Sequence, residues 1–394
     1  MSMRLNDDAM RQFRVAKVFQ ETDDYKLSLD FSLDGRRLLS CDRSALSVFS
    51  SIRQTELCRL HMSHYLPKVA CFTHRDTRVL HSTSKHNFAV RCLDLEANRC
   101  IRVFSGHTKS AHTLAPQPGC DYMFISVGLD DRVYMWDFRT SSHTYLIKNL
   151  RAPLCAYDPA GLVVATSTGT ERIEIHDVRM LAEKPCLKFV YQVNDSAKWT
   201  QLQFAPNGKT LLLSTDHSWC FSVSAFDGSF QQSFTGYSNR TRVPLEASYT
   251  PDSQFILSGA DEGRIHIWRA VDGYPVAVLK GNNVGPVSCL RFSPKATMFV
   301  SSDLLIAFWM PMANGVYDWD EPLHPGELAS FKEEEEPKQD VEVPRAIPMP
   351  KPIVDIGMTR MRLRRKRAQN EIPIVDLTIN QDRDSMEDGE LSDD

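Results

Sequence analysis

The chain has no long apolar run, no paired cysteines and no catalytic signature, and each absence removes a class of protein. No stretch approaches the roughly 18–20 apolar residues that a membrane-spanning helix needs. The opening residues, Met1-Ser-Met-Arg-Leu-Asn-Asp-Asp8, lack the apolar core of a secretory leader, which points to synthesis in the cytosol. Ten cysteines are spread singly, with no C-x-x-C pair and no histidine at zinc-ligand spacing. That excludes a disulfide or metal framework and predicts reduced thiols packed as small hydrophobes. A G-x-S-x-G elbow, a phosphate-binding glycine loop and metal-ligand spacing are all missing, so neither catalysis, a cofactor nor a small-molecule substrate is expected. The net charge of −4 over 394 residues is too small to imply a nucleic-acid partner for the whole chain.

What is present is a repeat. An apolar residue, a small or polar one, often a proline, a turn and a short apolar strand recur together. The unit reads Phe31-Ser-Leu-Asp-Gly35, Phe72-Thr-His-Arg-Asp76, Leu114-Ala-Pro116 and Tyr157-Asp-Pro-Ala-Gly161. It returns as Phe204-Ala-Pro-Asn-Gly208, Tyr249-Thr-Pro-Asp252 and Phe292-Ser-Pro294. The leading residues are separated by 41, 42, 43, 47, 45 and 43 positions. Such a period, about 40–45 residues, is that of a four-stranded propeller blade, and seven units predict seven blades.

Each lead is followed by alternating strands joined by a tight acidic or glycine turn, the pattern of a hairpin. In the third unit Leu129-Asp130-Asp131 turns and Arg132-Val-Tyr-Met-Trp136-Asp137 alternates. A strand ending in Trp-Asp, with Gly106-His107 upstream, is the WD40 signature. His107, Ser126, Asp130 and Trp136 are expected to form a buried structural network in which the carboxylate orients the imidazole. Other units depart from the pattern. The sixth places Glu262 where the turn aspartate should fall, and the fifth has Phe221-Ser-Val in place of the terminal Trp. The fold class expected is all-β: a seven-bladed WD40 β-propeller over residues 1–320.

The seventh unit lacks an outer strand, and Phe13-Arg-Val-Ala-Lys-Val-Phe19 alternates well enough to supply it. It is expected to close the last blade, leaving no raw ring end, behind a short helix capped by Asn6 or Asp7. After Trp319 the composition changes: Glu333–Glu336 are acidic, five prolines follow, and periodicity disappears. Residues 321–394 are expected to be a disordered tail with segregated charge. Its basic block, Arg360, Arg362, Arg364, Arg365, Lys366 and Arg367, fits a nuclear-import signal or a phosphate-binding patch. Ile374, Val375, Asp376 and Leu377, followed by acids, suit addition of a strand to another protein's sheet edge and resemble a SUMO-interacting motif. A docking strand for the chain's own propeller is the other reading of those residues.

Several stretches resemble the WD repeat-containing protein 82 family. They are residues 13–19, Gly161-Leu162, Gly236-Tyr237-Ser-Asn239, Leu245-Glu-Ala-Ser248, Thr250-Pro-Asp-Ser-Gln-Phe-Ile256, Pro275-Val-Ala-Val-Leu279, Gly285-Pro286 and Ala307-Phe-Trp309. The resemblance covers roughly residues 10–312. It implies a nuclear, non-catalytic scaffold in the COMPASS-type complex that methylates lysine 4 of histone H3. It also implies a place in the PNUTS–protein phosphatase 1 assembly linked to transcription termination, and reading of the phosphorylated tail of RNA polymerase II. The extension beyond residue 321 departs from the usual family member.

Phosphopeptide recognition needs cations gathered on one face. Loops leading into blades and hairpin turns share a propeller face. The candidates there are Lys109, Lys198, Arg240 and Arg242 on the loops, with Arg43, Lys85, His86 and Arg172 in turns. The alternative is a general WD40 adaptor that recruits SUMO-modified or nucleic-acid-bound partners through its tail.

Overall fold

The computed structural model describes residues 5–312, apart from 21–23, 86, 141, 149, 170, 182–184, 192–196 and 282–284. The basic block and the Ile374–Leu377 motif, like the expected disorder beyond residue 321, lie outside the described residues. Seven four-stranded antiparallel sheets are present, matching the seven repeats. Blade 1 comprises Ser28–Phe31, Arg37–Cys41, Ala45–Ser50 and Thr55–His61. Blades 2 to 6 follow in the same order, beginning at Pro67–Phe72, Ala111–Pro116, Cys155–Tyr157, Trp199–Phe204 and Ala247–Tyr249. Blade 7 takes Cys289–Phe292, Phe299–Ser302 and Leu305–Pro311 from the C-terminal side and Phe13–Gln20 from the other end of the chain. Phe13 lies opposite Pro311 and Gln20 opposite Leu305.

The repeat motif is the turn between the first and second strands. In blades 1, 4 and 5 it places Gly35, Gly161 and Gly208 at φ of 72, 70 and 71°, where a side chain would be strained. Second and third strands are buried on both faces, because each blade packs against two neighbours. The core therefore lies between blades. Phe104 of blade 2 meets Phe124 and Trp136 of blade 3 at centroid distances of 4.9 and 5.6 Å. Outer strands such as Thr55–His61 remain largely exposed.

An innermost strand has one edge without a sheet partner, and its buried N–H groups need acceptors. Polar side chains from the preceding blade supply them. Ala70 donates to Ser28 Oγ at 3.0 Å and Phe72 to Asp30 Oδ2 at 2.8 Å. Ala247 donates to Gln201 Oε1 at 3.0 Å, and Leu290 to Glu246 Oε2 at 3.4 Å. Polar residues on first strands, or immediately before them as with Glu246, thus stitch blade to blade.

Burial also sets a pH response. It pushes His81, His112 and His266 down to about 4, so all three fold as neutral rings. An unfolded histidine binds its proton near 6.5, so between about 6.5 and 4 the unfolded state holds more protons. Each ring therefore contributes stability that is lost on acidification. Asp30, pushed up to about 6 by burial, and Glu246, also raised by burial, work the other way, but they are two groups against five histidines, since burial lowers His107 and His176 as well. The melting temperature is expected to fall as pH drops from 6.5 to 4, and a flat or rising profile over that window would contradict this balance.

Candidate binding face

The third blade carries a closed chain of hydrogen bonds from its core to the ring face. Trp136 Nε1–H donates to Ser126 Oγ at 2.8 Å, and Ser126 in turn reaches His107 Nε2 at 2.7 Å. His107 Nδ1–H then donates to Asp130 Oδ1 at 2.9 Å. Burial pushes the His107 pKa down, so the ring is neutral and the Asp130 contact is a hydrogen bond rather than an ion pair. Burial opposes the charge on Asp130, yet the Thr108 N–H (2.8 Å) and His107 together hold its pKa below the usual carboxylate value. Gly128 passes so close to the imidazole and the carboxylate that a Cβ there would collide with both. Every polar atom of this chain is used structurally.

The lesson of blade 3 extends around the ring in altered form. An aspartate at the hairpin between second and third strands holds the loop that leads into the same blade. Asp216 accepts from Lys198 N at 2.8 Å, Asp261 from Arg240 N at 2.7 Å and Asp303 from Gly285 N at 3.1 Å. In blade 1 Asp42 takes the Lys26 ammonium at 3.0 Å. In blade 6 the aspartate is therefore Asp261, one residue before Glu262, and Asn239 stands in for the histidine by donating to the carbonyls of Asp216 and Val243. These clasps are visible in sequence as an aspartate within two residues of the second strand's end. The Gly-His signature marks only blade 3 and so does not reveal the others.

Loop and hairpin lie on one face, since the start of a first strand sits beside the end of the antiparallel second; Ala111 opposes Gly128. Over blades 5 and 6 this face gathers Lys198, Arg240 and Arg242, all exposed. Their loops are tied to one hairpin: Lys198 N to Asp216, and Asn239 N to Ser218 Oγ at 2.9 Å. Burial opposes the Asp216 charge, but His217, the Lys198 N–H and the Arg242 charge lower its pKa. Over blades 2 and 3 the exposed Lys85 and Lys109 follow a similar arrangement, because neighbouring Ser84 and Ser110 approach at 3.2 Å. Arg43 is exposed in the blade 1 hairpin, and His86 lies outside the described residues.

Arg172 is a correction. It does not sit in a hairpin turn but opens the third strand of blade 4, Arg172–Asp177, opposite Thr168. Its guanidinium lies 3.8 Å from Glu174, two residues on and therefore on the same strand face. The turn of blade 4 is completed one residue earlier than the repeat implied.

A closed ring of seven four-stranded blades, one of them carrying the Trp–Ser–His–Asp chain, defines a WD-repeat β-propeller. The family described as "WD domain, G-beta repeat" matches residues 98–137, 228–269 and 273–309, the first span containing that entire chain. WD repeat-containing protein 82 of Drosophila melanogaster is 38% identical over 312 residues, covering 79% of this chain and 98% of the relative. COMPASS component SWD2 of Saccharomyces cerevisiae is 30% identical over 329 residues, covering 78% of this chain and 98% of the relative. The chain belongs to the WD repeat-containing protein 82 family.

Proposed function

We propose that the chain is a non-catalytic scaffold subunit of a nuclear chromatin complex of COMPASS type. The observation that carries this reading is the similarity to COMPASS component SWD2 along nearly that protein's full length. A closed disc suits the role, since its loops are already ordered and lose little entropy on binding. The face over blades 5 and 6 is the candidate reader of phosphorylated peptide, with the polymerase C-terminal repeat as ligand. There Lys198, Arg240 and Arg242 offer charge-assisted hydrogen bonds. Membership of the PNUTS–protein phosphatase 1 assembly is the second partner set. In the tail, Arg360–Arg367 would direct nuclear import and Ile374–Leu377 would bind SUMO.

Two measurements test this. The full chain, tagged and recovered from nuclear extract, should bring down methyltransferase or phosphatase subunits, and recovery of neither set refutes the scaffold reading. A triple reversal, Lys198→Glu with Arg240→Glu and Arg242→Glu, should weaken binding of a serine-phosphorylated polymerase repeat peptide at least tenfold, equivalent to about 1.4 kcal/mol. Unchanged affinity would remove this face from the mechanism while leaving the scaffold role standing.

A further inference from the structure

A second cationic site lies over other blades, in a groove of about 450 Å³ at the rim between blades 1 and 2. The outer strand of blade 1, Thr55–His61, forms one wall, and Val90–Asp94 with Arg99–Phe104 of blade 2 form the other. The lining includes Arg59, Arg91 and Arg99 and no carboxylate; of the acids beside it, Glu56 is engaged with Arg59 at 2.9 Å, and Asp94, opposite Arg99 in the sheet, lies 3.9 Å from Arg78.

Two features mark the groove as built for a ligand. The Arg91 guanidinium carbon lies 4.2 Å from the centre of the Tyr65 ring, a cation–π contact. Its Nε is buried without a hydrogen-bond partner among the described residues. His81, fully buried, also lines the groove, and its Nε2 has no partner there either. His81 Nδ1 faces the Ser82 carbonyl at 3.2 Å and must carry the ring proton. Nε2 is then a bare acceptor. A buried donor and a buried acceptor left unpaired each cost free energy, and an incoming peptide carrying carboxylates and backbone N–H groups would satisfy both. Leu60, Met62, Leu93 and Tyr65 supply apolar surface beside these charges.

We propose that this groove docks the chain's own C-terminal segment 372–390. That segment is an apolar run, Ile372-Pro-Ile374-Val375-Asp376-Leu377-Thr378-Ile379, followed by Asp382, Asp384, Glu387, Asp388 and Glu390. Apolar residues followed by acids complement a groove with an apolar wall and arginines. Fully extended, residues 313–371 would span about 195 Å, against a radius of gyration of about 19 Å for a domain this size. Length therefore does not restrict access. Attachment in the same chain supplies a millimolar effective concentration, so a weak site suffices. Docking would cover Ile374–Leu377 and withhold it from any other sheet edge until a competitor released it.

The test uses the full chain and a version ending at Met312, which retains every strand of the closed ring. Hydrogen exchange should be slower in the full chain over residues 59–65 and 90–100, and equal protection in both would overturn the proposal. A fluorescent peptide of residues 370–392 should bind the shorter version at least tenfold more tightly than the full chain, where the attached segment competes. Arg99→Glu, on an exposed strand, should weaken that binding several-fold with an unchanged melt, and Arg91→Glu should weaken it further. Peptide affinity untouched by Arg99→Glu would overturn the proposal. So would equal affinity for a scrambled peptide of the same composition, which would reveal charge attraction only.

Discussion

Deletion of residues 1–20 is expected to leave a chain that does not fold cooperatively. Phe13–Gln20 is the fourth strand of blade 7, and without it Leu305–Pro311 becomes a raw edge carrying unpaired backbone groups. The loss goes beyond one strand. Leu5, Met10 and Phe13 are buried in a cluster shared with Phe255 and Val276 of blade 6 and Phe292, Phe299 and Trp309 of blade 7. Phe13 stands 5.2 Å from Phe299, and Phe19 stands 4.9 Å from Phe49 of blade 1. The segment thus touches blades 6, 7 and 1 together. Its helix, Asp7–Arg11, adds an Asp7–Arg269 ion pair at 2.6 Å. Burial of three large apolar side chains is worth about 1.5–3 kcal/mol each, before the strand pairing is counted. Against a total stability of about 5–15 kcal/mol, that leaves little or nothing. Circular dichroism melts with size-exclusion profiles of the deletion check this. A cooperative transition within a few degrees of the full chain would show that the ring closes without its N-terminal strand.

The second large effect is expected from one side chain. Lys26→Met should destabilise the fold by about 3–5 kcal/mol, because it strands a buried carboxylate. Lys26 and Asp42 side chains are 0% and 2% exposed and meet at 3.0 Å. Asp42 also accepts from Ser44 N and Ala45 N at 2.7 and 2.6 Å. Burial opposes its charge, but the Ser44 N–H and Lys26 keep its pKa below the ordinary value. Lys26 stands at the seam of the ring. Its N–H donates to the Asp303 carbonyl of blade 7 at 2.9 Å, and its own carbonyl accepts from Ser288 Oγ at 3.3 Å. The double variant Lys26→Met with Asp42→Asn should recover a good part of the loss, since neither member of the pair then carries a charge. Denaturant titrations of wild type, both single variants and the pair give the coupling directly. A single Lys26→Met costing under 1 kcal/mol would show that the pair does not hold the seam.

These two sites differ in how far the sequence announced them. The closing strand was legible because two local facts met: Phe13–Phe19 alternates, and the seventh repeat ends one strand short. The Lys26–Asp42 pair was invisible, because Lys26 lies in a stretch with no repeat motif and reads as an ordinary surface lysine. The same division runs through the candidate face. His107, Ser126, Asp130 and Trp136 were readable from a complete motif. In blade 6 the motif pointed to Glu262, whereas Asp261 holds the loop. Arg172 was assigned to a turn that closes one residue earlier.

By itself, the sequence determined the period, the blade count, the strands and the turn chemistry, since each depends on residues close along the chain. Alternation and a glycine at positive φ act over a few positions and need no distant partner. Only the tertiary structure decided which aspartate clasps which loop, that Asp30, Gln201 and Glu246 stitch neighbouring first strands, and that Arg91 and His81 line one groove. Those pairings join residues about 10 to 50 positions apart across blades or hairpins. A bulge or a one-residue shift redirects a side chain to the opposite face of its strand, and that geometry exists only once the ring has closed.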